Sequence, residues 1–168
     1  TTTFNVLARI EATQCTAQMT VTPTVTVNPV ISNNTISADQ SICNAAAPET
    51  LVGSTPTGGN GSYNYLWQQS TDDFVTNTAS ASTANSLNTT KSYTPPQNLA
   101  QTMWYRRVVT SGPAAPAVNQ CNDISPAVKI TVIPLPAVYS VTGGGAYCVG
   151  GTGMPVGLSN SQANVNYQ

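Results

Sequence analysis

The stretch GGNGSYNYLWQQ, residues 58–69, decides the fold that this sequence predicts. After a glycine-rich turn, aromatic and polar residues alternate with the period of two that indicates a strand with one buried face. A second run, MWYRRVV at residues 103–109, is likewise rich in aromatic and β-branched residues and predicts a partner strand. Each large aromatic buries roughly 150 to 250 Å², so these two strands should form the centre of a β-sandwich. The predicted core residues are Tyr63, Tyr65, Trp67, Tyr105 and Val109.

The composition predicts an all-β chain and excludes several classes of partner. Thr, Ser and Asn make up about a third of the 168 residues, and 12 Gly and 12 Pro are spread among them. Only 7% of the residues are charged, and the formal net charge is −1. A phosphate-binding surface needs clustered Lys and Arg, so we expect no nucleic-acid partner. We also expect no insertion into a membrane, because no apolar run reaches the roughly 18 to 20 residues that a span needs.

Catalytic, metal and cofactor sites are not expected. The chain has no histidine and only six carboxylates, so neither a Ser-His system nor a transition-metal site can be assembled. The adjacent carboxylates Asp72 and Asp73 predict a turn, with weak calcium binding as the alternative. The glycine clusters at residues 58–61 and 143–145 predict turns, because no P-loop lysine or helix pattern follows them.

Arg106 and Arg107 are adjacent on a predicted strand, so one of them must share a face with the core. If Tyr105 and Val109 point inward, that residue is Arg107; if Trp104 and Val108 point inward, it is Arg106. We expect an arginine lying along the sheet surface with its guanidinium stacked on Trp67 or Trp104. A ligand-binding role is the alternative.

The sequence repeats itself after about one hundred residues. Cys15 recurs as Cys121, the sequence TVNP at residues 26–29 recurs as TVIP at residues 131–134, and Cys43 recurs as Cys148. We therefore expect three units. Residues 1–29 would be the closing strands of one module, residues 30–136 a complete module, and residues 137–168 the opening strands of a third.

The complete module should be an immunoglobulin-like or fibronectin-like β-sandwich, since its strands are short and separated by turn residues. The predicted strands lie near residues 30–37, 49–54, 62–70, 73–77, 87–93, 103–110 and 127–133. The proline after the last strand suits a stiff linker, because proline cannot continue the ladder. Tandem modules would then form a rod.

The four cysteines are interpreted as disulfide partners. Cys43 and Cys121 are the two that fall in one complete unit, so we expect them to pair, which would stabilise the module by about 4 kcal/mol. Cys15 and Cys148 would be unpaired within the chain, with partners upstream and downstream; alternatively, Cys15 of one copy would meet Cys148 of the next. Disulfides would place the chain outside a reducing cytosol.

These residues resemble the tandem Ig-like modules of giant secreted surface proteins of Bacteroidetes-type bacteria, including gliding-motility adhesins exported by type IX secretion. The matching sequence motifs in the central module are ISADQSIC (residues 36–43), PTGGNGSYNYLWQ (56–68), SYTPP (92–96), YRRVVTSG (105–112) and VKITV (128–132). The flanks resemble a second module type, through CTAQM (15–19), YCVGGTGMPVGL (147–158) and VNYQ (165–168). The resemblance implies a secreted location at the cell surface or in an extracellular filament.

Two functions follow as expectations. The first is a non-catalytic adhesin or filament shaft whose partners are neighbouring modules of the same chain or other copies, with surface polysaccharide as a further partner. The alternative is a passive spacer in a secreted multidomain enzyme, such as a protease or polysaccharide hydrolase. Neither expectation places catalysis in these residues.

Overall fold

The computed structural model describes residues 2–18, 24–81, 90–112 and 120–168, and this part of the chain is all-β. It contains no helix long and apolar enough to cross a membrane. The strands are β1 (Thr2–Thr3), β2 (Leu7–Arg9), β3 (Thr16–Gln18), β4 (Thr24–Val25), β5 (Gln40–Cys43), β6 (Asn64–Ser70), β7 (Ala79–Ser80), β8 (Met103–Ser111), β9 (Cys121–Ile124), β10 (Val128–Ile133), β11 (Val141–Gly143) and β12 (Val156–Leu158).

The largest sheet has six strands and is built around β8. Its order is β5-β10-β8-β6-β7, and β9 pairs with the far end of β8. β6 lies antiparallel to β8 from Asn64 opposite Thr110 to Ser70 opposite Trp104. The edge strand β5 instead runs parallel to β10. The two aromatic runs of the sequence therefore do lie side by side at the centre of the sheet.

A second layer, here called the bridge layer, covers one face of this sheet. It consists of residues 31–36, residues 51–57 and Tyr93, which are joined by isolated antiparallel bridges. Leu51 of the bridge layer packs into one buried cluster with Trp67 and Tyr105 of the sheet. Ile31 packs into a second cluster with Tyr65 and Val109. The core lies between the two layers.

The predicted core residues are inside, with one difference in degree. Trp67, Tyr105 and Val109 are fully buried, and Tyr65 is 8% exposed. Trp67 is the largest of the fully buried side chains of the described residues. Tyr63 is only half-buried and packs at the margin of the second cluster. Tyr63 lies just before β6, and its hydroxyl donates to the carbonyl of Gly58 at 2.7 Å.

The predicted strands match the structure unevenly. β6, β8 and β10 lie where the sequence places strands, whereas residues 30–37 and 49–54 form bridges rather than continuous ladders. Residues 73–77 are a turn, not a strand, and Asp73 and Phe74 have φ angles of 57° and 63°. β5, β7 and β9 were not predicted. Residues 87–89 of the predicted strand at residues 87–93 lie outside the described residues, and the remainder forms one isolated bridge, between Tyr93 and Leu51.

The N-terminal flank repeats the pairing of the central module. Leu7 pairs with Gln18 as Val108 pairs with Ile124, and Thr2 pairs with Val25 as Met103 pairs with Ile130. Thus β1 and β2 together correspond to β8, with each residue 101 positions earlier. The hairpin loop accounts for the different offsets, since four residues separate Ile10 from Cys15 and nine separate Ser111 from Cys121.

The C-terminal flank repeats the opening of the central module with an offset of 105. Val141 pairs with Leu158 as Ile36 bridges Gly53. Three further hydrogen bonds recur. Ser159 N donates to Ser140 O (2.8 Å) as Ser54 N does to Thr35 O (2.9 Å), and Ser140 N donates to Ser159 Oγ (3.1 Å) as Thr35 N does to Ser54 Oγ (2.8 Å). Gly151 N donates to Cys148 O (2.9 Å) as Ala46 N does to Cys43 O (2.9 Å). Among the described residues, strand pairing stays within the three stretches that the repeat defines.

The structure does not form the predicted disulfide between Cys43 and Cys121, and all four cysteines are free. Strand register gives the reason. Cys43 pairs with Ile133, beyond the Met103 end of β8, whereas Cys121 pairs with Ser111 at the other end. A strand of this length spans roughly 26 Å at about 3.3 Å per residue, and a disulfide needs Cα atoms within about 7 Å. Membership of one repeat unit was therefore insufficient grounds for pairing them.

Candidate functional site

The most unusual feature of the central module is a charged side chain in its core. Alternation along β8 directs Tyr105, Arg107 and Val109 to the buried face, and Arg107 is 0% exposed. A guanidinium without hydration is costly unless its donors are all satisfied. Arg107 and the residues around it therefore form the candidate site.

The guanidinium of Arg107 bonds to neutral oxygens of the bridge layer and its neighbour. Nε donates to Asn34 Oδ1 at 2.9 Å, and Nη1 donates to the carbonyl of Lys91 at 2.8 Å. Nη2 donates to the carbonyls of Ser54 at 3.1 Å and Thr35 at 3.4 Å. None of these acceptors is a carboxylate. Arg107 thus ties three segments of the second layer to the central strand.

The main chain of Arg107 belongs to the same network. Its N–H donates to Ser125 Oγ at 2.9 Å. Asn34 Nδ2 donates back to the carbonyl of Arg107 at 3.3 Å and to that of Asp123 at 3.2 Å. Asn34 and Ser125 are themselves buried, with 5% and 4% exposure. The network joins residues 31–36 of the bridge layer to the segment between β9 and β10.

Aromatic rings complete the environment of the guanidinium. Its Cζ lies 5.1 Å from the ring centroid of Tyr65 and 6.0 Å from that of Trp67. Burial lowers the pKa of Arg107, but an arginine remains protonated in a protein because its ordinary pKa exceeds about 12. The predicted proximity to Trp67 is present, although the arginine lies inside the core and not along the sheet surface.

Gly53 makes room for this arginine. A Cβ atom on Gly53 would lie 1.9 Å from Arg107 Nη1 and 2.2 Å from the carbonyl oxygen of Lys91. Gly53 has no positive φ, so the requirement is for space rather than for backbone freedom. The Arg107 network therefore depends on the absence of a side chain at this position.

The outer face of the sheet carries two further cations, Arg106 and Lys129. Arg106 stacks its guanidinium 4.0 Å above the ring of Phe74 and donates from Nε to Gln68 Oε1 at 2.8 Å. Lys129 Nζ lies 5.2 Å from the ring of Trp104. These pairs spread the positive charge over the surface instead of gathering it into one patch.

The carboxylate of Asp72 organises the turn after β6. Its Oδ1 accepts from Ser70 Oγ at 2.6 Å, and its Oδ2 accepts from the main-chain N–H and the hydroxyl of Thr76, the former at 2.8 Å. These hydrogen bonds, Ser70 first, hold the pKa of Asp72 well below its usual range. The carboxylate oxygens serve the turn, as one of the two interpretations of Asp72 and Asp73 expects. Within the described ranges, no group of three His, Cys, Asp or Glu side chains is placed to hold a metal ion.

The glycine cluster at residues 58–61 is also a turn. Gly58, Gly59 and Gly61 have φ angles of 85°, 59° and 86°. A Cβ on Gly58 would lie 2.0 Å from the carbonyl oxygen of Val30. Gly59 N donates to the carbonyl of Pro29 at 2.8 Å, which fixes the point where the chain enters the module.

Sequence reasoning missed Asn34, Gly53 and Ser54 as partners of Arg107. Nothing in their local sequence distinguishes them from other small polar residues in a chain rich in Ser and Asn. The sequence of β8 did contain an indication, because its alternation places Arg107 on the same inward face as Tyr105 and Val109. A buried guanidinium needs hydrogen-bond acceptors from the opposite layer of the core. The donors of Arg107 are directed at protein oxygens, so this arrangement binds the two layers to each other.

Comparison with known proteins gives one match. No curated protein and no solved structure matches the chain. The family described as a domain of unknown function, DUF8696, matches residues 32–134, which include both layers of the central module and the Arg107 network. The chain belongs to the DUF8696 family.

Proposed function

We propose that this chain is a non-catalytic segment of a secreted cell-surface adhesin or extracellular filament shaft, built from tandem Ig-like modules. The observation that carries the proposal is the recurrence of strand register: both flanks pair as the corresponding parts of the central module do. A chain that repeats one β module end to end is suited to spacing and display, since each module contacts its neighbours in a line.

The order of the six-stranded sheet supports the Ig-like assignment. Strands β10, β8, β6 and β7 occupy the order of the G, F, C and C′ strands of a variable-type immunoglobulin sheet. Trp67 on β6 stands where such domains bury a tryptophan on strand C. Here Leu51 and Tyr105 pack in its cluster, and no disulfide among the described residues lies beside it.

The ends of the central module support a rod. The chain enters at Pro29, beside Gly59 and the Ser111 end of β8. It leaves through β10 at Ile133, beyond the Met103 end of β8. Entry and exit at opposite ends of one sheet would place successive modules in a line. Such a shaft would present an amide- and hydroxyl-rich surface to polysaccharide or to other cells.

Immunogold labelling of intact source cells and of thin sections of them, with antibodies raised against residues 30–136, tests this proposal. Labelling along filaments or across the cell surface is the expected result. Antibodies against an unrelated cytosolic protein are the control. Labelling confined to the cytosol would refute the proposal. Recovery of the antigen only on a soluble secreted hydrolase would favour the spacer alternative.

A further inference from the structure

The N-terminal flank exposes the residues that correspond to the core of the central module. Phe4 is 50% exposed where its counterpart Tyr105 is 0% exposed, and Val25 is 52% exposed where Ile130 is 0% exposed. Ala8 and Ile10, also exposed, correspond to the buried Val109 and Ser111. Phe4, Ala8 and Ile10 follow the same alternation along residues 2–10 as the core residues do along β8. The exposed surface is thus a core face without its covering layer.

The flank also exposes one strand edge that is filled in the central module. β8 pairs through one edge with β10 and β9 and through the other with β6. In the N-terminal flank β1 pairs with β4 and β2 with β3, which reproduces the first edge. No described strand pairs along the second edge, which corresponds to residues 3–9. An open edge beside an exposed apolar face is a template for strand addition.

The two flanks belong to the same kind of module. Where the central module sets Arg107 against Gly53, the corresponding residues are Val6 in the N-terminal flank and Leu158 in the C-terminal flank. A charged side chain and an empty position are thus replaced by two apolar side chains. The exchange preserves a filled core if a module of the flanks' type sets an apolar residue like Val6 against an apolar residue like Leu158.

We propose that the N-terminal flank is a strand-accepting half-module whose edge at residues 3–9 takes a β-strand that alternates aromatic and polar side chains, as β6 does. The accepted strand lies antiparallel to β1 and β2, in the register of β6 on β8. Its inward aromatic side chains cover Phe4, Val6 and Ala8, while a layer of the C-terminal flank's type lies over them. This proposal rests on the proposed tandem-module shaft. Its test measures strand pairing and not cellular location, so either proposal can fail without the other.

The test extends the full chain ahead of Thr1 with a copy of residues 136–166 joined to a copy of residues 62–101. This extension supplies the layer and the β6 strand at the spacing of the central module. Amide hydrogen exchange at residues 3–9 is expected to slow by on the order of ten-fold or more, since paired amides exchange through opening. A matched extension, with Ser in place of both Tyr65 and Trp67 in the added copy, should leave exchange fast.

Two variants of the chain's own flank sharpen the result. Val6→Asp puts a charge on the apolar face and should abolish the slowing, whereas Leu7→Asp lies on the opposite face and should preserve it. Unchanged exchange in the extended chain would overturn the proposal, as would slowing that survives Val6→Asp. Slowing that appears in the unextended chain and grows with protein concentration would also overturn it, since a second copy would then occupy the edge.

Discussion

At the residue scale, the central module is distinguished by Arg107 and by the space that Gly53 leaves for it. The guanidinium holds the bridge layer through carbonyl and amide oxygens, without a carboxylate. Such a site contributes to stability only while all its donors are satisfied. Small changes around it should therefore have large effects.

Gly53→Ala should destabilise the central module by about 1 to 3 kcal/mol, the usual range for overpacking a core. The added methyl would collide with Arg107 Nη1 and the Lys91 carbonyl. Urea unfolding followed by tryptophan fluorescence measures the loss. Gly157→Ala is the matched control, because its Cβ would meet nothing closer than Thr142 Oγ1 at 3.7 Å. Equal stability of the two variants would contradict the role of Gly53.

A double-mutant cycle tests the exchange that the flanks indicate. Arg107→Val alone should leave unpaired oxygens and a cavity, and Gly53→Leu alone should clash with the guanidinium. Together they reproduce the apolar pair Val6 and Leu158. The double variant should be more stable than the sum of the single losses predicts, by about 0.5 to 3 kcal/mol. Strict additivity would show that positions 53 and 107 do not share a core site.

Tyr105 should make the module sensitive to alkali. Burial, with a smaller effect of Tyr93, raises the pKa of Tyr105 from 10.0 to about 12. The stabilisation from keeping the phenol neutral is complete below pH 10 and is lost as the pH rises through 12. Tyr105→Phe should weaken this alkaline loss in unfolding measurements from pH 8 to 12. It should cost little at pH 7, because the hydroxyl has no hydrogen-bond partner among the described residues. An unchanged alkaline profile would contradict this assignment.

The sequence predicted the apolar core residues but not the polar contacts between them. Alternation identifies Trp67 and Tyr105 because burial of one strand face is a local property of the chain. The acceptors of Arg107 come from residues 16 to 73 positions away, and only tertiary packing selects them. The same limit explains the failed pairing of Cys43 with Cys121, whose distance depends on strand order.

At the element scale, β6 and β8 support the rest of the module. They pair over seven positions, and their buried residues form both core clusters. The sequence missed β5, β7 and β9, which are short strands: β5 and β9 alternate half-buried and exposed residues, and both residues of β7 are exposed. Such strands carry little apolar signal, since their pairing comes from the neighbouring strand.

Trp67→Ala should cost about 3 to 5 kcal/mol, the usual range for truncating a buried aromatic. Trp67 is fully buried and stacks on Tyr93, with ring centroids 5.6 Å apart. Trp104→Ala is the control, because Trp104 is half-buried on the outer face and should cost less. Thermal unfolding monitored by circular dichroism compares them. A Trp67→Ala variant that melts within a few degrees of the parent would contradict the assignment of the core.

On the scale of the whole molecule, the described strands pair within three stretches, and the central stretch has two layers. Repetition of cysteines and of the T-V-x-P sequence predicted this division, and strand pairing falls into the same three stretches. The sequence alone could not show that the repeat differs by five extra residues in one hairpin loop. Only the strand register distinguishes a longer loop from strands that are shifted along the chain. The flanks need covering strands, since a pair of strands is marginally stable in water.

Hydrogen exchange by mass spectrometry on the full 168-residue chain tests the central claim most directly. We expect strong protection of β6, β8 and β10, which should open only with global unfolding of the central module. Amides of β1 to β4 and of β11 and β12 should exchange within the shortest labelling times, because most apolar side chains of the two flanks are exposed. Flanks protected as strongly as β8, at protein concentrations too low for association, would contradict the account.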